Sequence, residues 1–464
     1  MFLLNNKNNT PLYTQLYKQI KEEILSGNLK PFSKLPSSRR LSNDLQISRN
    51  TVEMAYQQLY SEGYITSKQR SGYFIENLDL SILPQESIAP KTETIDVIKE
   101  CENIKYDFQY GNLDPTKLPI SEWQKISNKC FRQYKSELGK YNLIPGELGL
   151  RKEIVKYLRD YRDVRCNVDQ IIVESGIHSS FNIICQLIKK DVSDIAIEEP
   201  GFFAARNTFE NYGLEVCPIE LDRCGLNVKK LNVTKARAVY VTPSYQFPTG
   251  IIMPISRRLE LVEWANKSDS LIIEDDYSCH LRYNIKPIPS IQSLSGERVI
   301  HLGSFSKYLF PSIRVSYMVL PEKLVNRFYS IFENFPSSVP FIIQKTLQHF
   351  MEEGYWDSYI RKTIRDQKRK HDALVHTLDK EFGDKITILA KNAGLHIVVQ
   401  VKWNMKEDEL IKRAYKAGVK VYPTSVLWDC KKSHEHGAVM MGFGAIQIEH
   451  IPKAVKLLKK AWLA

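Results

Sequence analysis

Hydrophobic positions follow two different spacings along the chain. In residues 1–76 they recur at helical intervals, as in the stripe that places an apolar residue at every fourth position from Leu12 to Ile24. From residue 106 onward, short β-branched runs alternate with helical stretches, which is typical of a parallel sheet covered by helices. Residues 77–105 are polar and indicate a linker, with one short helix in its second half. The pattern therefore predicts a small helical head, a linker and a large α/β body.

The head contains two further helices and a hairpin. Ser37 and Ser48 each precede a helical stretch at the position of an N-cap, and a three-residue turn separates the two stretches. Two short strands, 64–67 and 73–75, follow and are joined by the basic tip 68–72. This order of elements predicts a winged helix-turn-helix.

The polar residues at the helix starts suit contacts with double-stranded DNA. Arg49, Asn50 and Thr51 begin the second helix, at the end that a recognition helix points into the major groove. Arginine can bond guanine and asparagine can bond adenine, each through two hydrogen bonds. Capped and solvated helix ends are the alternative, but the two caps, the turn and the basic hairpin agree on DNA binding. Phosphate contacts are expected from the first helix start and from the wing, at Ser37, Ser38, Arg39, Arg70 and Gly72.

Polar clusters follow five short hydrophobic strands of the body. Open α/β sheets bind their ligands at the carboxyl edge of the strands, so the clusters are expected to form one site. Taken singly, the aspartates would be a solvated strand end and the lysine a surface residue. The clusters are 174–179, 198–202, 242–250, 274–277 and 303–307 with Arg314.

The residue types in these clusters match the needs of pyridoxal 5'-phosphate. A lysine can form a Schiff base with its aldehyde. A carboxylate beside the pyridine nitrogen keeps the ring electron-poor. Arginine, serine and helix-start amides can hold the phosphate, and an aromatic side chain can stack on the ring.

The head resembles a known DNA-binding family over nearly its full length. The run from Pro11 to Ile75, which includes LPSSR, SRNTV and SGYF, resembles a GntR-family DNA-binding domain. The family usually has glycine where this chain has Phe32.

Residues 106–464 resemble a fold-type I aminotransferase-like domain, with a large, mostly parallel sheet and a smaller C-terminal α+β lobe. The resemblance implies that Lys307, in SFSKYLFPSIRVSY, forms the Schiff base and that Arg314 binds the phosphate. In EDDY it implies Asp275 at the pyridine nitrogen, with Asp276 as the alternative. The other implied cofactor contacts are Ser304, Ser306, Tyr277, the stacking Phe202 of EEPGF, and Gly176, Ile177 and His178 of the phosphate loop SGIHSS.

The combination of the two domains resembles the MocR-type transcriptional regulators. Such proteins form head-to-tail homodimers, and YNLIPGELGLR resembles the segment whose tyrosine, here Tyr141, reaches the neighbouring subunit's phosphate. The loop TPSYQFPTG resembles the one packed beside the cofactor ring.

The absence of one arginine bears on which small molecule controls the protein. Aminotransferases grip the substrate carboxylate with an arginine of the small lobe, but VMMGFG has Met440 at that position. Losing such a contact costs about 1.5–3 kcal/mol of binding, which argues against ordinary transamination. We therefore expect a sensor of pyridoxal 5'-phosphate that controls vitamin B6 genes, with no catalytic residue assigned. Three alternatives stay open: His434, His436 or a nearby lysine replacing the arginine, an amine or amino acid as effector through an external aldimine, and an active aminotransferase with a DNA-binding head.

Charge and composition add little to this picture. The 464 residues include 65 Lys+Arg and 53 Asp+Glu, a net charge of +12, of which the first 76 residues carry ten minus six, or +4. The eight cysteines form no C-x-x-C pair, so neither a metal site nor a disulfide framework is expected. The N-terminus lacks a signal-peptide core and no apolar stretch is long enough to cross a bilayer, which favours a cytoplasmic protein without membrane contact.

Overall fold

A computed structural model describes residues 2–5, 10–79, 104–283, 288–428 and 437–463. The chain divides into two compact units, Met1–Glu100 and Cys101–Ala464. The short helix expected in the linker lies outside the described residues, as do His434 and His436.

The first unit is a winged helix-turn-helix, as predicted. A core of apolar side chains from the first and third helices, including Leu16, Ile20 and Tyr56, holds it together. The Ser37 hydroxyl caps the second helix by accepting from the Arg40 amide, and the Ser48 hydroxyl caps the third by accepting from the Thr51 amide. Its elements are α1 (Leu12–Leu25), α2 (Ser38–Leu45), α3 (Arg49–Ser61), β1 (Ile65–Lys68) and β2 (Gly72–Ile75), and the two strands pair antiparallel.

Phe32 has a backbone conformation that favours glycine. Its φ is +64°, and its side chain is 67% exposed. A left-handed conformation costs an ordinary residue about 1–2 kcal/mol, and an exposed ring recovers little of that by packing. The loop therefore keeps its shape without the usual glycine, because the Phe32 amide donates to the Ile75 carbonyl at 2.9 Å.

The second unit contains a large sheet, a small sheet and eleven helices among the described residues. The strands are β3 (Tyr106–Asp107), β4 (Ile171–Glu174), β5 (Asp194–Glu199), β6 (Glu215–Asp222), β7 (Gly225–Leu226), β8 (Ala238–Val241), β9 (Leu271–Asp275), β10 (Val299–Ser304), β11 (Ser316–Val319), β12 (Ile386–Leu389), β13 (His396–Val401), β14 (Val419–Lys420), β15 (Tyr422–Pro423) and β16 (Ala438–Gly442). The helices are α4 (Ile120–Gln133), α5 (Leu148–Arg162), α6 (Ile177–Ile188), α7 (Phe203–Asn211), α8 (Val228–Leu231), α9 (Ile255–Lys267), α10 (Glu322–Phe332), α11 (Phe341–Glu352), α12 (Tyr355–Phe382), α13 (Glu407–Lys416) and α14 (Ile451–Leu463).

The large sheet has the strand order β4-β11-β10-β9-β8-β5-β6-β7. Its β10-β9, β9-β8, β8-β5 and β5-β6 pairs are parallel, whereas β11 runs against both of its neighbours. Both faces of the sheet are buried, so the central strands are apolar throughout. Tyr240 packs with α6 and α7 on one face, while the adjacent Val239 packs with α8 and α9 on the other. The predicted mostly parallel sheet is confirmed.

The small sheet, β12-β13-β16-β15, is antiparallel and carries α13 and α14. The 28-residue α12 also packs on α14. Strand β3 pairs in parallel with β14, which ties the start of the second unit to this lobe. A smaller C-terminal α+β lobe was expected and is confirmed.

No helix in the described part of the chain is both long enough and apolar enough to cross a bilayer. Within the same residues, His, Cys, Asp and Glu side chains form no group that could hold a metal ion.

Candidate functional site

A cavity of about 620 Å³ opens where the parallel strands end. Because β5, β8, β9 and β10 run in the same direction, the residues that follow them meet at one edge of the sheet. Eight of the cofactor contacts named from the sequence line this cavity. The full lining is Tyr110, Ile177, Phe202, Tyr240, Thr242, Phe247, Asp275, Tyr277, Ser304, Ser306, Lys307 and Arg314.

Asp275 and Asp276 have different surroundings although they are adjacent. The Asp275 Oδ2 accepts a 2.7 Å hydrogen bond from the Tyr240 hydroxyl, and its Oδ1 is buried without a hydrogen-bond partner among the described residues. Burial raises the pKa of Asp275 to about 6, although the Tyr240 hydrogen bond opposes the shift. Asp276 instead forms a buried ion pair with Arg162 and does not line the cavity. Of the two candidates, only Asp275 presents an open carboxylate oxygen at the cavity wall.

Lys307 faces the same space with its ammonium group. Its Nζ lies 4.8 Å from the centroid of the Tyr110 ring, and no carboxylate of the described residues lies within 4.0 Å of it. Burial lowers the pKa of Lys307 to about 8, with a contribution in the same direction from Arg314 and an opposing one from Asp275. An amine with a lowered pKa is deprotonated more often at neutral pH and is therefore a better nucleophile.

One end of the cavity is suited to an anion. Gly176 caps α6 with a φ of +84°, and a Cβ placed there would lie 2.2 Å from the Arg314 Nη2. The guanidinium thus packs directly against the backbone at the start of a twelve-residue helix, where the free N–H groups favour negative charge. The Ser306 Oγ is buried without a hydrogen-bond partner among the described residues. Together these groups form a surface whose charge and donors suit a phosphate dianion.

Aromatic side chains form the remaining walls. The Phe202 ring lies 5.8 Å from the ring of Phe247, which in turn lies 5.3 Å from Tyr110 and 6.3 Å from Tyr277. The Tyr277 hydroxyl is buried and has no hydrogen-bond partner among the described residues. The cavity therefore offers flat apolar surfaces with a polar phenol at one wall.

Glu198 fastens the loop that carries Phe247. Its Oε2 accepts from the Thr242 backbone N at 3.1 Å and from the Thr242 hydroxyl at 2.6 Å, and the Gln246 amide donates to the same oxygen at 3.3 Å. Burial raises the pKa of Glu198 to about 7 against these hydrogen bonds. Thr242 also accepts from the Phe247 amide, so this carboxyl group positions two residues of the cavity wall.

Three of the named cofactor contacts are not in the lining. Gly176 lies behind Arg314, and the His178 side chain is exposed. Tyr141 is 89% exposed and borders a different groove, which it shares with Tyr134 and Lys140.

Met440 lies in an apolar cluster behind the cavity wall and is not itself a lining residue. It is buried in a cluster with Phe247 and Leu427, against which the partly buried Tyr110 and Tyr277 pack. The place where an aminotransferase has its carboxylate-binding arginine is therefore apolar in the part of the chain that the structure describes.

Four lining residues were not named from the sequence as cofactor contacts. Phe247 and Thr242 lie in the TPSYQFPTG loop, which was assigned to this site only as a segment. Tyr240 is an inward position of β8, and the strand pattern alone gives it no role beyond the core. Tyr110 follows β3, in a segment that carries no signal, and it reaches the cavity through tertiary packing.

The residues named for DNA contact lie on the surface of the head. Arg49, Asn50 and Arg39 are exposed, as is the wing tip with Arg70 and Gly72. Before any DNA binds, the Arg49 Nε donates to Glu53 at 2.7 Å, and the Ser38 hydroxyl donates to the same carboxylate oxygen at 3.2 Å. Glu53 thus holds the starts of α2 and α3 together and orients Arg49.

Comparisons with known families agree with both units. Residues 12–75 match the family described as bacterial regulatory proteins, gntR family, and residues 105–428 match aminotransferase class I and II.

Curated relatives align with the chain over nearly its whole length. The uncharacterized HTH-type transcriptional regulator YdeL of Bacillus subtilis is 38% identical over 99% of this chain and 98% of its own. The "Probable rhizopine catabolism regulatory protein MocR" of Rhizobium meliloti is 28% identical, covering 100% and 96%. The HTH-type pyridoxine biosynthesis transcriptional regulator PdxR of Corynebacterium glutamicum is 29% identical, covering 95% and 94%.

Two solved structures that resemble the chain are aminotransferases. An archaeal alanine:glyoxylate aminotransferase has a TM-score of 0.71 at 22% identity, covering 79% of this chain and 92% of its own. The Pyrococcus horikoshii kynurenine aminotransferase in complex with PMP has a TM-score of 0.70 at 23% identity, covering 78% and 91%. At this identity the likeness concerns the fold.

Proposed function

Since the chain belongs to the gntR family of regulators and is of the MocR type, we propose that its head binds operator DNA and that its aminotransferase-like domain binds pyridoxal 5'-phosphate as the signal. One observation carries the proposal. The cavity combines three unpartnered buried polar atoms, on Asp275, Tyr277 and Ser306, with the apolar wall residue Phe247, which packs in a cluster with the buried Met440.

The residues fit this cofactor. Asp275 offers a free carboxylate oxygen for the protonated pyridine nitrogen, and Tyr277 offers a hydroxyl for the phenolic oxygen. Arg314, Ser306 and the start of α6 form the anion surface for the phosphate. When bound, the cofactor supplies an aldehyde that amines can attack and an electron-withdrawing ring.

Each of the other named residues has a proposed role. The Lys307 amine attaches the cofactor, and its lowered pKa supplies the neutral form at near-physiological pH. Phe202 stacks on the ring, while Ser304 and the backbone of Gly176, Ile177 and His178 complete the phosphate loop. In the head, Arg49, Asn50 and Thr51 read bases, and the remaining named residues bind phosphates.

The effector is inferred from the apolar cluster that contains Met440. A carboxylate placed against Met440 and Leu427 would lose its water without gaining a cation there, which costs free energy. Pyridoxal 5'-phosphate needs no such cation, since Arg314 and the start of α6 meet its only strongly anionic group. The name of the relative PdxR refers to pyridoxine biosynthesis, which supports vitamin B6 genes as the targets of this regulator.

We also propose a head-to-tail homodimer. Tyr141 is too exposed to serve its own cavity, and large apolar side chains are exposed around the same part of the chain. Leu143 forms a β-bridge to Pro336, next to the exposed Phe335, so these apolar residues form one surface. A partner that covered this surface would receive the Tyr141 hydroxyl.

The test measures DNA affinity with and without the cofactor. An operator is first selected from random-sequence duplexes by the full chain, and binding is then measured with wild-type, Lys307→Ala and the surface control Lys267→Ala. We expect pyridoxal 5'-phosphate to change the wild-type and control affinities by about fivefold or more, with no response in Lys307→Ala.

Other outcomes separate the alternatives. If the DNA affinity of the wild-type chain does not change with pyridoxal 5'-phosphate but changes with one amino compound, that compound is the effector. Turnover of an amino donor and a keto acid at about 1 s⁻¹ or faster would make the domain an enzyme.

A further inference from the structure

A second cavity lies in the body, between the segment that follows β3 and helix α12. It encloses about 660 Å³ of space, part of it open to solvent. One side comes from residues 113–118 and the other from residues 359–367 of α12. The two cavities share no lining residue, and the proposed cofactor role does not involve this one.

The inner wall of this cavity carries two acids, the buried Asp114 and the half-buried Asp366, beside one buried ammonium group. Lys370 is 2% exposed, and its Nζ lies 3.4 Å from the Asp114 Oδ2 and 3.5 Å from the Asp366 Oδ2. The same ammonium donates to the Gly444 carbonyl at 3.1 Å. Two carboxylates therefore share one ammonium. The triad carries one uncompensated negative charge, which favours a cationic guest.

Two acceptors at this wall have no donor among the described residues. The Asp366 Oδ2 is buried and in ion-pair range of Lys370 but lacks a hydrogen bond, and the Gln367 Oε1 has none either. Gln367 is 97% buried, and its Nε2 donates to the Gly444 carbonyl at 3.5 Å, which fixes the amide with its oxygen away from that carbonyl. Buried acceptors are almost always paired in folded proteins, so a pair of open ones points to a ligand that brings N–H donors.

The mouth of the cavity has the opposite charge. Lys117 and Lys362 both line it and both are exposed. Neither has a carboxylate within 4.0 Å in the part of the chain that the structure describes. A guest with its cationic end at Asp366 would thus present its other end to two ammonium groups, which suits an acidic group.

We propose that this cavity binds a small zwitterion of the amino-acid class. Its ammonium group donates to Asp366 and Gln367, and its carboxylate lies between Lys117 and Lys362. The site gives the regulator a second small-molecule input, separate from the cofactor cavity.

The experiment uses the full chain and probes that cannot react with an aldehyde. N,N-dimethylglycine has a carboxylate and one N–H, glycine betaine has the carboxylate but no N–H, and trimethylammonium has one N–H without the carboxylate. Binding is measured by calorimetry and by saturation-transfer NMR. We expect dimethylglycine to bind at least about tenfold more tightly than either of the other two.

Variants locate the binding. Asp366→Asn should weaken the binding of dimethylglycine at least about tenfold, because the neutral amide cannot form the charge-assisted hydrogen bond. Lys362→Ala, at an exposed position that folding does not require, should weaken it less but measurably. Asp379→Asn, on the same helix and away from the cavity, is the matched control and should bind like wild-type.

The proposal is overturned if dimethylglycine does not bind, or if Asp366→Asn and Lys362→Ala both bind it like wild-type. Equal binding of betaine would remove the role of the two acceptors. Equal binding of trimethylammonium would make this a cation site and exclude the zwitterion.

Discussion

Asp275 and Asp276 are neighbours in sequence with opposite energetic roles. Each has a buried Oδ1 without a hydrogen-bond partner among the described residues, but the other oxygen of Asp275 accepts only from the neutral hydroxyl of Tyr240. Asp276 is buried against the guanidinium of Arg162, which also donates to the Ser244 hydroxyl at 2.9 Å. A carboxylate held without a partner costs stability, whereas a buried ion pair becomes costly only when one member is removed.

Asp275→Asn is therefore expected to stabilise the cofactor-free chain at neutral pH. The pKa of Asp275 is raised from 3.8 to about 6, so the folded state binds this proton more tightly than the unfolded chain does. Its contribution to stability is complete below about pH 3.8 and is lost as the pH rises through 6. At pH 7 the variant should gain about 2–3 kcal/mol in the free energy of unfolding, and at pH 4 the gain should nearly vanish. Denaturant titrations at both pH values measure this difference.

The neighbouring variant Asp276→Asn is the control, with the opposite expected sign. Removing the Asp276 carboxylate leaves the Arg162 guanidinium buried without an ionic partner. The free energy of unfolding should therefore fall by about 3 kcal/mol. Equal changes in the free energy of unfolding for the two variants would contradict the different surroundings of the two aspartates.

At the level of elements, the two helix starts of the head should recognise DNA in different ways. Arg49 begins α3 and is held by Glu53, while Arg39 lies in the first turn of α2 and forms no ion pair among the described residues. Both arginines are exposed, so substituting either leaves the core of the head intact. Base contacts carry sequence information and phosphate contacts do not.

Arg49→Ala should cost about 1–3 kcal/mol on the selected operator and relax the preference at one base position. Arg39→Ala should weaken specific and non-specific DNA about equally. It should also reduce the slope of log affinity against log salt by about 0.9, the value for one phosphate contact. Fluorescence anisotropy on the operator and on single-base variants, at several salt concentrations, distinguishes a base contact from a phosphate contact. An unchanged base preference in Arg49→Ala would contradict the placement of α3 in the major groove.

Local signals explain which elements the sequence predicts. The hydroxyls of Ser37 and Ser48 accept from backbone amides only three residues later in the chain. The caps and the turn can therefore be predicted without knowledge of the tertiary structure. The same holds for Asp275 and Lys307, because residues at the carboxyl ends of neighbouring parallel strands must meet whatever the loops do.

Side chains placed by long-range packing are not readable in this way. Tyr110 reaches the cavity because Gly442 lets its backbone approach, and a Cβ at Gly442 would lie 2.4 Å from the Tyr110 Cα. Glu198 and Thr242 form their hydrogen bonds across two neighbouring strands, 44 residues apart in the chain. The ion pair of Asp276 with Arg162, a residue 114 positions earlier in the chain, is likewise set by tertiary packing.

At the scale of the whole molecule, the open question is which subunit completes the cofactor cavity. Tyr141 is 89% exposed and outside the lining, and the family resemblance assigns it to the cofactor phosphate of the neighbouring subunit. The phosphate surface at Arg314 and Ser306 belongs to the cavity of the same chain. We therefore propose that the tyrosine acts on the cofactor cavity of a partner.

Mixing two defective homodimers tests this arrangement. Lys307→Ala should lose the visible absorbance of the lysine-bound cofactor, and Tyr141→Ala should retain it with weaker affinity. If Tyr141 acts across the interface, a mixed dimer has one site with both defects and one fully wild-type site. If Tyr141 acts within its own chain, a mixed dimer contains one site with each defect and none that is wild-type.

We therefore expect co-expressed, differently tagged subunits to give mixed dimers with wild-type cofactor affinity at half of their sites. Titration of the tag-purified mixed dimer, followed by its visible absorbance, measures both affinity and stoichiometry. Tyr161→Ala, another exposed tyrosine of the same unit, serves as the matched control and should keep wild-type affinity as a homodimer. A mixed dimer in which every occupied site has the weak affinity of Tyr141→Ala would place the tyrosine on its own cavity, and a monomeric chain would remove the shared site altogether.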